Sequence, residues 1–435
     1  MARKIRNVVI VFLAIVGFVG IAITAVAPFA KADWQKEAGV VSEIFNLIEN
    51  AYLYPVNLTE CRDYLLKNLS AEDYRPLKEK GSGSPCLLDA YSGYLTADEA
   101  RIMDEQKSSH FGGVGVAVEF NKEAGEITVI GVFENGPADK AGLKIGDVIF
   151  KARDENEKES SAVKDSYDAV KRIRGAVGTK IFITVKRNGS EIDLPAMVRE
   201  DIKVATIEKK VFPGNIFYVR IKTFGPESAD DLEDALRLAG RIKDRPRVIL
   251  DLRDNPGGLL GSAEEMLFYF SANKNDIMVT LKEKRSENVV TVGNSEGNFV
   301  EPKTKKVKKP GEFKDYKIVI LINGRSASAS ELFTGTMQDW GSMVIGEKSF
   351  GKGVGQGIFE LADKSALRLT TFEFLVGNGK KSVNKIGIAP DLEVEWKPGA
   401  GEKDEEFAMR RQKAMGDPVS DPQLGKALWA LEVMK

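Results

Sequence analysis

The spacing of apolar residues changes three times along the chain. Val41, Ile44, Phe45, Ile48 and Tyr52 recur as one helical face, so residues 34–70 read as helical. Pro55 closes the first run, and Tyr64, Leu65 and Leu69 predict a second helix. Residues 81–85 form a Gly/Ser/Pro loop. From Phe111 the period shortens to two. Val114, Val116 and Val118 alternate, Ile127, Val129 and Ile130 follow, and both runs predict strands. Asn135-Gly136-Pro137 predicts a turn before the 138–143 segment, and Gly146-Asp147 leads into Val148-Ile149. Tyr167, Val170 and Ile173 share a face of a short helix. Ile181, Ile183 and Val185 make a strand that ends in Asn188-Gly189, a hairpin signal. After Ile202 strands and helices alternate: strands over 216–221, 248–252 and 318–322, helices over 228–242, 262–270 and 329–340. That order predicts a sheet covered by helices. The tail from Gly399 is charged and partly helical.

The chain has 435 residues, enough for two or three domains. A net charge of -1 gives no global reason to expect nucleic acid. Residues 1–32 differ from the rest: Arg3, Lys4, Arg6 and Lys31 stand there without an acid. An apolar stretch over 8–27 follows the first three cations, and Ala30-Lys31-Ala32 matches a cleavage pattern. These features predict an export signal. The stretch is also long enough to span a bilayer as a retained anchor. Either way the remainder is expected outside the cytoplasm, where Cys61 and Cys86 could form a disulfide. A polar stretch carries Lys303, Lys305, Lys306, Lys308 and Lys309 and is expected to be a solvated loop.

His110 is the only histidine. A Ser-His-Asp hydrolase would have to use it, a cysteine protease would need it as base, and a zinc hydrolase would want several. A hydrolase built from this chain needs another base. A lysine in apolar surroundings can serve, because burial penalises its charged form. Asn323-Gly324-Arg325-Ser326-Ala327-Ser328-Ala329-Ser330-Glu331 leaves an apolar strand and enters a helix. A serine there projects from a turn beside backbone N–H groups that can hold an oxyanion. Ser328-x-x-Glu331 equally reads as a helix capping box.

A second segment, Gly346-Glu347-Lys348-Ser349-Phe350-Gly351-Lys352-Gly353, also follows an apolar strand. Its glycines let other backbone approach Lys352, and Gln356 stands four residues on. It nearly matches a P-loop, but Gly353 replaces the magnesium-binding Ser/Thr, and Gly355 and Gly357 oppose a following helix. Ser-x-x-Lys recurs at Ser161, Ser271, Ser349 and Ser382, in contexts that do not start a helix. A third segment, Asp251-Leu252-Arg253-Asp254-Asn255-Pro256-Gly257-Gly258-Leu259, reads either as a tight connection or as a source of oxyanion N–H groups.

Together these segments resemble the carboxyl-terminal processing (tail-specific) serine proteases, peptidase S41 type. Tyr218 to Phe224, Gly387-Ile388-Ala389-Pro390-Asp391 and Asp421-Pro422-Gln423-Leu424 support the likeness over most of 38–435. The resemblance implies Ser328 as nucleophile, Lys352 as general base supported by Gln356, and an oxyanion hole from the N–H of Ala329 and of Gly257 or Gly258. Asp339 matches a position the family often fills with Asp, with a local structural role. The segment between Ser328 and Lys352 is one residue shorter than is usual there. Asp89-Ala90-Tyr91-Ser92 stands where the family usually has Asp-Pro-His-Ser, with no catalytic consequence expected.

The strand-rich module resembles a PDZ domain, with Gly113-Val114-Gly115-Val116 as its carboxylate-binding loop. The fold expected is a multidomain α/β chain, with the PDZ domain placed between an N-terminal helical region and an α/β protease core. The segments expected are signal or anchor 1–32, helical region 33–108, PDZ domain 109–195, protease core 196–400 and helical tail 401–435.

The activity expected is an ATP-independent endopeptidase in the bacterial envelope, acting through an acyl-enzyme without metal or cofactor. Its partners are expected to be proteins with apolar C-termini, an adaptor or activator protein, and further copies of the chain. Nucleic acid is not expected, and the membrane is touched only through an uncleaved leader. The alternative is an envelope PDZ scaffold on an inactive protease fold.

Overall fold

The computed structural model describes residues 31–61, 88–107, 110–121, 126–163, 166–203, 205–242, 246–295, 307–378, 380–399, 401–402 and 404–433. The apolar leader at 8–27, the helix expected at 64–69, the loop 81–85 and Cys86 lie outside the described residues. No helix among the described residues is long and apolar enough to cross a membrane.

Helix α1 (Lys31–Ala51) buries Val40, Ile44 and Ile48, a one-face stripe, and ends short of Pro55. Cys61 is buried beside this stripe and is disulfide-bonded. The chain continues through β1 (Gly93–Leu95), α2 (Ala97–Lys107) and β2 (His110–Gly113).

The module that follows holds β3 (Val116–Asn121), β4 (Glu126–Val132), α3 (Pro137–Lys140), β5 (Val148–Asp154), β6 (Ser161–Ala162), α4 (Ser166–Ile173), β7 (Lys180–Arg187), β8 (Ser190–Asp193) and β9 (Met197–Val198). Its antiparallel sheet runs β3-β4-β5-β7-β8, with β6 on β5 and β9 on β7. Asn188 and Gly189 take φ of 52° and 80°, the left-handed pair that a two-residue hairpin requires. Ile127, Val129, Ile149, Ile181, Ile183 and Val185 form the core with Ala169 and Ile173 of α4. The module's chain ends meet in a two-stranded ribbon, where β2 pairs with β10 (Glu200–Lys203). That ribbon contains His110.

The next sheet is built from β11 (Ile207–Phe212), β12 (Ile216–Ile221), β13 (Arg247–Asp251), β16 (Lys317–Ile322), β17 (Met343–Gly346) and β21 (Leu392–Glu393), in that spatial order. Strands β12 to β21 are parallel, and β11 is an antiparallel edge. In β16, Ile318, Ile320 and Ile322 face one core while Val319 and Leu321 face the other. Helices α5 (Ser228–Ile242), α6 (Leu260–Phe268) and α7 (Ala329–Asp339) cover the first face. Helix α9 (Pro422–Val433), reached through α8 (Asp404–Ala414), covers the second with Leu424, Ala427, Ala430 and Leu431. Both faces are covered, so these strands read as mainly apolar runs.

A further antiparallel sheet centres on β19 (Ala366–Val376), which pairs with β1, β14 (Ile277–Glu283), β18 (Val354–Glu360) and β20 (Lys381–Ser382); β15 (Glu287–Thr291) pairs with β14. Leu367 and Leu369 of β19 pack on α1, while Phe374 and Val376 join the core of α5 to α7. The N-terminal region therefore rests on the strand layer next to the loop that carries Lys352.

Candidate active site

Adjacent parallel strands β13, β16 and β17 deliver the glycine pair, Ser328 and Lys352 from their carboxyl ends, the usual place for a site in such a sheet. Ser328 stands at the head of α7 with φ 58° and ψ -116°, a conformation that costs a non-glycine residue energy. The capping box with Glu331 is present, and the N–H of Ser328 donates to Glu331 Oε2 at 2.9 Å. A helix cap and a strained serine turn therefore coexist in one segment.

The three serines of this segment have different occupations. Ser326 is fully buried and its hydroxyl donates to the carbonyl of Leu252 at 2.8 Å. Ser330 is fully buried too and donates to the carbonyl of Asn255 at 2.9 Å. Both stitch the serine turn to the glycine turn. Ser328 is 8% exposed, and its hydroxyl has no acceptor among the described residues.

The glycine turn sits directly against Ser328. A Cβ on Gly257, at φ 101°, would lie 2.9 Å from Ser328 Cβ and 2.9 Å from the Ala329 nitrogen. A Cβ on Gly258 would meet the Phe224 carbonyl at 2.2 Å. Only glycine fits either position. The Gly257 N–H is already spent on Asn255 Oδ1 at 2.8 Å, whereas those of Gly258 and Ala329 have no acceptor among the described residues.

Glu331, fully buried, ties the serine turn to the lysine loop. Its Oε1 accepts from Ser349 Oγ and the Gly351 N–H, both at 2.6 Å. Its Oε2 accepts from the N–H of Lys352 at 2.8 Å and from that of Ser328. Four donors surround one carboxylate, which stabilises its charge without a cation. Ser349 also accepts from the Ile388 N–H at 2.6 Å, which anchors the Gly387–Asp391 motif to this loop. Gly346 to Gly353 leads into strand β18 rather than a helix, which rules out the P-loop geometry.

The Lys352 amine is half-buried. Burial and the Arg368 guanidinium hold its pKa below the usual lysine value, against the pull of Asp89 and Glu331. It lies over the Tyr91 ring, 4.9 Å from the centroid, and no hydrogen bond joins it to Ser328. The Asp89-Ala90-Tyr91-Ser92 segment, expected to have no catalytic consequence, is thus a wall of the site. Gln356, expected to support Lys352, donates its Nε2 to Thr370 Oγ1 at 3.3 Å, and no hydrogen bond joins its side chain to the Lys352 amine. Ser92 closes that chain, since its hydroxyl accepts the Thr370 N–H at 2.8 Å.

The glycine turn is braced from behind. Arg253 and Asp251 are fully buried, and Arg253 binds Asp251 Oδ2 at 2.6 Å, Asp421 Oδ2 at 2.8 Å and Gln423 Oε1 at 3.0 Å. This explains the Asp421-Pro422-Gln423 motif: it docks α9 under the turn. Asp339 contacts Lys381 at 3.8 Å. Lys308 corrects the solvated-loop expectation. It is buried and hydrogen-bonds Glu265, Asp230 and Tyr269. Burial opposes its charge, but these bonds hold its pKa well above the usual lysine value. Lys303, Lys305 and Lys306 lie outside the described residues.

In the module, Val114 and Gly115 give their carbonyls to the N–H groups of Ala138 and Phe133. Their own N–H groups have no backbone acceptor among the described residues, and Gly115 takes φ 76°. Strand β3, which begins at Val116, is a sheet edge with α4 packed alongside.

Residues 112–198 match the family model of the PDZ domain, and residues 215–394 that of peptidase family S41. A carboxy-terminal-processing protease of Bartonella bacilliformis is 35% identical over 329 residues, covering 74% of this chain and 70% of that one. A "Probable CtpA-like serine protease" of Staphylococcus epidermidis is 34% identical over 309 residues, covering 71% of this chain but 58% of its own length. The solved photosystem II D1 C-terminal processing protease shares the fold at a TM-score of 0.50 and 20% identity, covering 82% of this chain and 92% of that one. With the serine turn, the glycine pair and the lysine loop assembled on a parallel sheet behind a PDZ domain, the chain belongs to peptidase family S41.

Proposed function

We propose that the chain is an exported, ATP-independent serine endopeptidase that takes hold of protein C-termini and cuts by a Ser-Lys dyad. One observation carries the reading. Of three serines at the turn, Ser328 alone has a hydroxyl that donates to no acceptor among the described residues, and it adjoins the N–H groups of Ala329 and Gly258, which have none there either. Ser328 Oγ attacks the scissile carbonyl while Lys352 Nζ, as free base, takes its proton. The oxyanion that forms accepts from Ala329 and Gly258. The tetrahedral intermediate then collapses, the C–N bond breaks, and Lys352 returns the proton to the leaving amine. Water next attacks the Ser328 ester with Lys352 as base, and releases acid and serine. The lowered pKa of Lys352 favours the free base that this task requires.

The PDZ domain is the element for peptide C-termini. We assign the loop Gly113-Val114-Gly115-Val116 to the terminal carboxylate and the edge of β3 to an apolar tail. The basic and apolar leader supports a bacterial extracytoplasmic location. An adaptor or activator protein and self-association extend the same reading.

The test compares wild type with Ser328→Ala on an unfolded protein ending in apolar residues. Loss of about a thousandfold or more in cleavage is expected. Equal cleavage by the two proteins would overturn the assignment.

A further inference from the structure

Tyr91 comes from the N-terminal region, far in sequence from the dyad. Its backbone N–H donates to Asp89 Oδ1 at 2.7 Å, and β1, directly after it, pairs Gly93 with Arg368 of β19. The ring is therefore fixed to the same strand whose Thr370 receives Gln356. The Lys352 amine lies 4.9 Å from the ring centroid and makes no hydrogen bond to Ser328. An aromatic face attracts an ammonium and not a neutral amine. Burial and the Asp89 and Glu331 charges push the Tyr91 phenol's pKa up, so the ring presents a neutral face and not a phenolate.

We propose that Tyr91 is a positioning residue for Lys352: its ring holds the protonated amine in a resting place away from Ser328, and loss of the proton releases it toward the nucleophile. This rests on the Ser328-Lys352 reading and adds a second state to it. The groups facing the amine are Arg368 on β19, Glu331 on α7, and Asp89 and Tyr91 before β1. Arg368 favours the free base, Asp89 and Glu331 favour the ammonium, and the Tyr91 ring adds to the second pair while holding the amine in one place.

The sign follows. A ring that favours the ammonium raises the pKa of Lys352, so weakening the ring lowers it. The acid limb of kcat/KM then moves to lower pH. The experiment measures that limb on an unfolded, apolar-tailed protein for wild type, Tyr91→Phe, Tyr91→Leu and a series with increasingly fluorinated phenylalanine at position 91. Fluorination keeps ring size while weakening the face, so the series reads the ring even if Tyr91→Leu fails to fold. Tyr91→Phe is expected to keep the wild-type limb. Progressive fluorination should move it down by about half to one pH unit, giving about three- to tenfold more activity below the limb. A limb that stays fixed across the fluorinated series, or moves up, would overturn the role of Tyr91. Lys352→Ala separates the two ideas: turnover in that variant removes the dyad itself, while an inactive Lys352→Ala with a fixed limb removes only the Tyr91 inference.

Discussion

Glu331 joins the Lys352 loop to the helix that Ser328 heads: the backbone N–H of Lys352, 21 positions downstream, donates to its Oε2 at 2.8 Å. The same oxygen receives the N–H of Ser328. A buried carboxylate that accepts only from donors cannot be replaced by an amide, whose NH2 would face N–H groups. Glu331→Gln is therefore expected to misplace both loops. Steady-state kinetics should show kcat lower by about a hundredfold with KM changed less, and thermal unfolding a loss of about 1–3 kcal/mol.

The neighbouring serines offer an internal control. Ser326→Ala and Ser330→Ala each remove one stitch between the turns, at about 1 kcal/mol. Each should keep activity within about tenfold of wild type, far above Ser328→Ala. A denaturant titration beside the cleavage assay checks both numbers.

Arg368 offers a test of the electrostatics independent of Tyr91. Its charge helps to keep the Lys352 pKa low. Arg368→Met should therefore raise that pKa and shift the acid limb of kcat/KM to higher pH by about half a unit. The pH dependence of stability carries the same sign. The lysine pKa is lower in the folded than in the unfolded state, so between the two values the unfolded chain binds more protons and stability rises with pH. A pH series of unfolding free energies checks this.

Gly257→Ala places a methyl group against Ser328 and the Ala329 nitrogen at a positive φ. The expected result is a folded but poorly active protein, with kcat down by about a hundredfold or more.

The brace under the glycine turn predicts a stability effect. Asp421→Ala leaves the fully buried Arg253 without one of its two carboxylates. A loss of about 3–5 kcal/mol is expected, read as a fall in Tm. Asp421→Asn, which keeps one acceptor, should lose less.

Local pattern carried much of this architecture. The strands at 216–221, 248–252 and 318–322 were legible because burial on both faces makes them mainly apolar runs, interrupted only at Arg220 and Asp251. The hairpin at Asn188-Gly189 was legible because two left-handed residues in succession select those types. The serine turn and the lysine loop were legible as candidates at the ends of such strands, but only the resemblance to the S41 proteases singled out Ser328 and Lys352. The sheet around β19 was not read, since Leu367 and Leu369 serve one core and Phe374 and Val376 another. Glu331 was read only as a cap, because its bonds to Ser349, Gly351 and Lys352 cross the fold. Tyr91 and Lys308 were missed for the same reason: a ring under an amine, or a lysine in an acidic cage, depends on contacts remote in sequence.

The most direct test is to trap the acyl-enzyme from a slowly hydrolysed ester substrate and map the modified residue by mass spectrometry. The adduct is expected on Ser328 and absent from both Ser328→Ala and Lys352→Ala. An adduct on Ser326, Ser330 or any other side chain, or undiminished labelling without Lys352, would contradict the account.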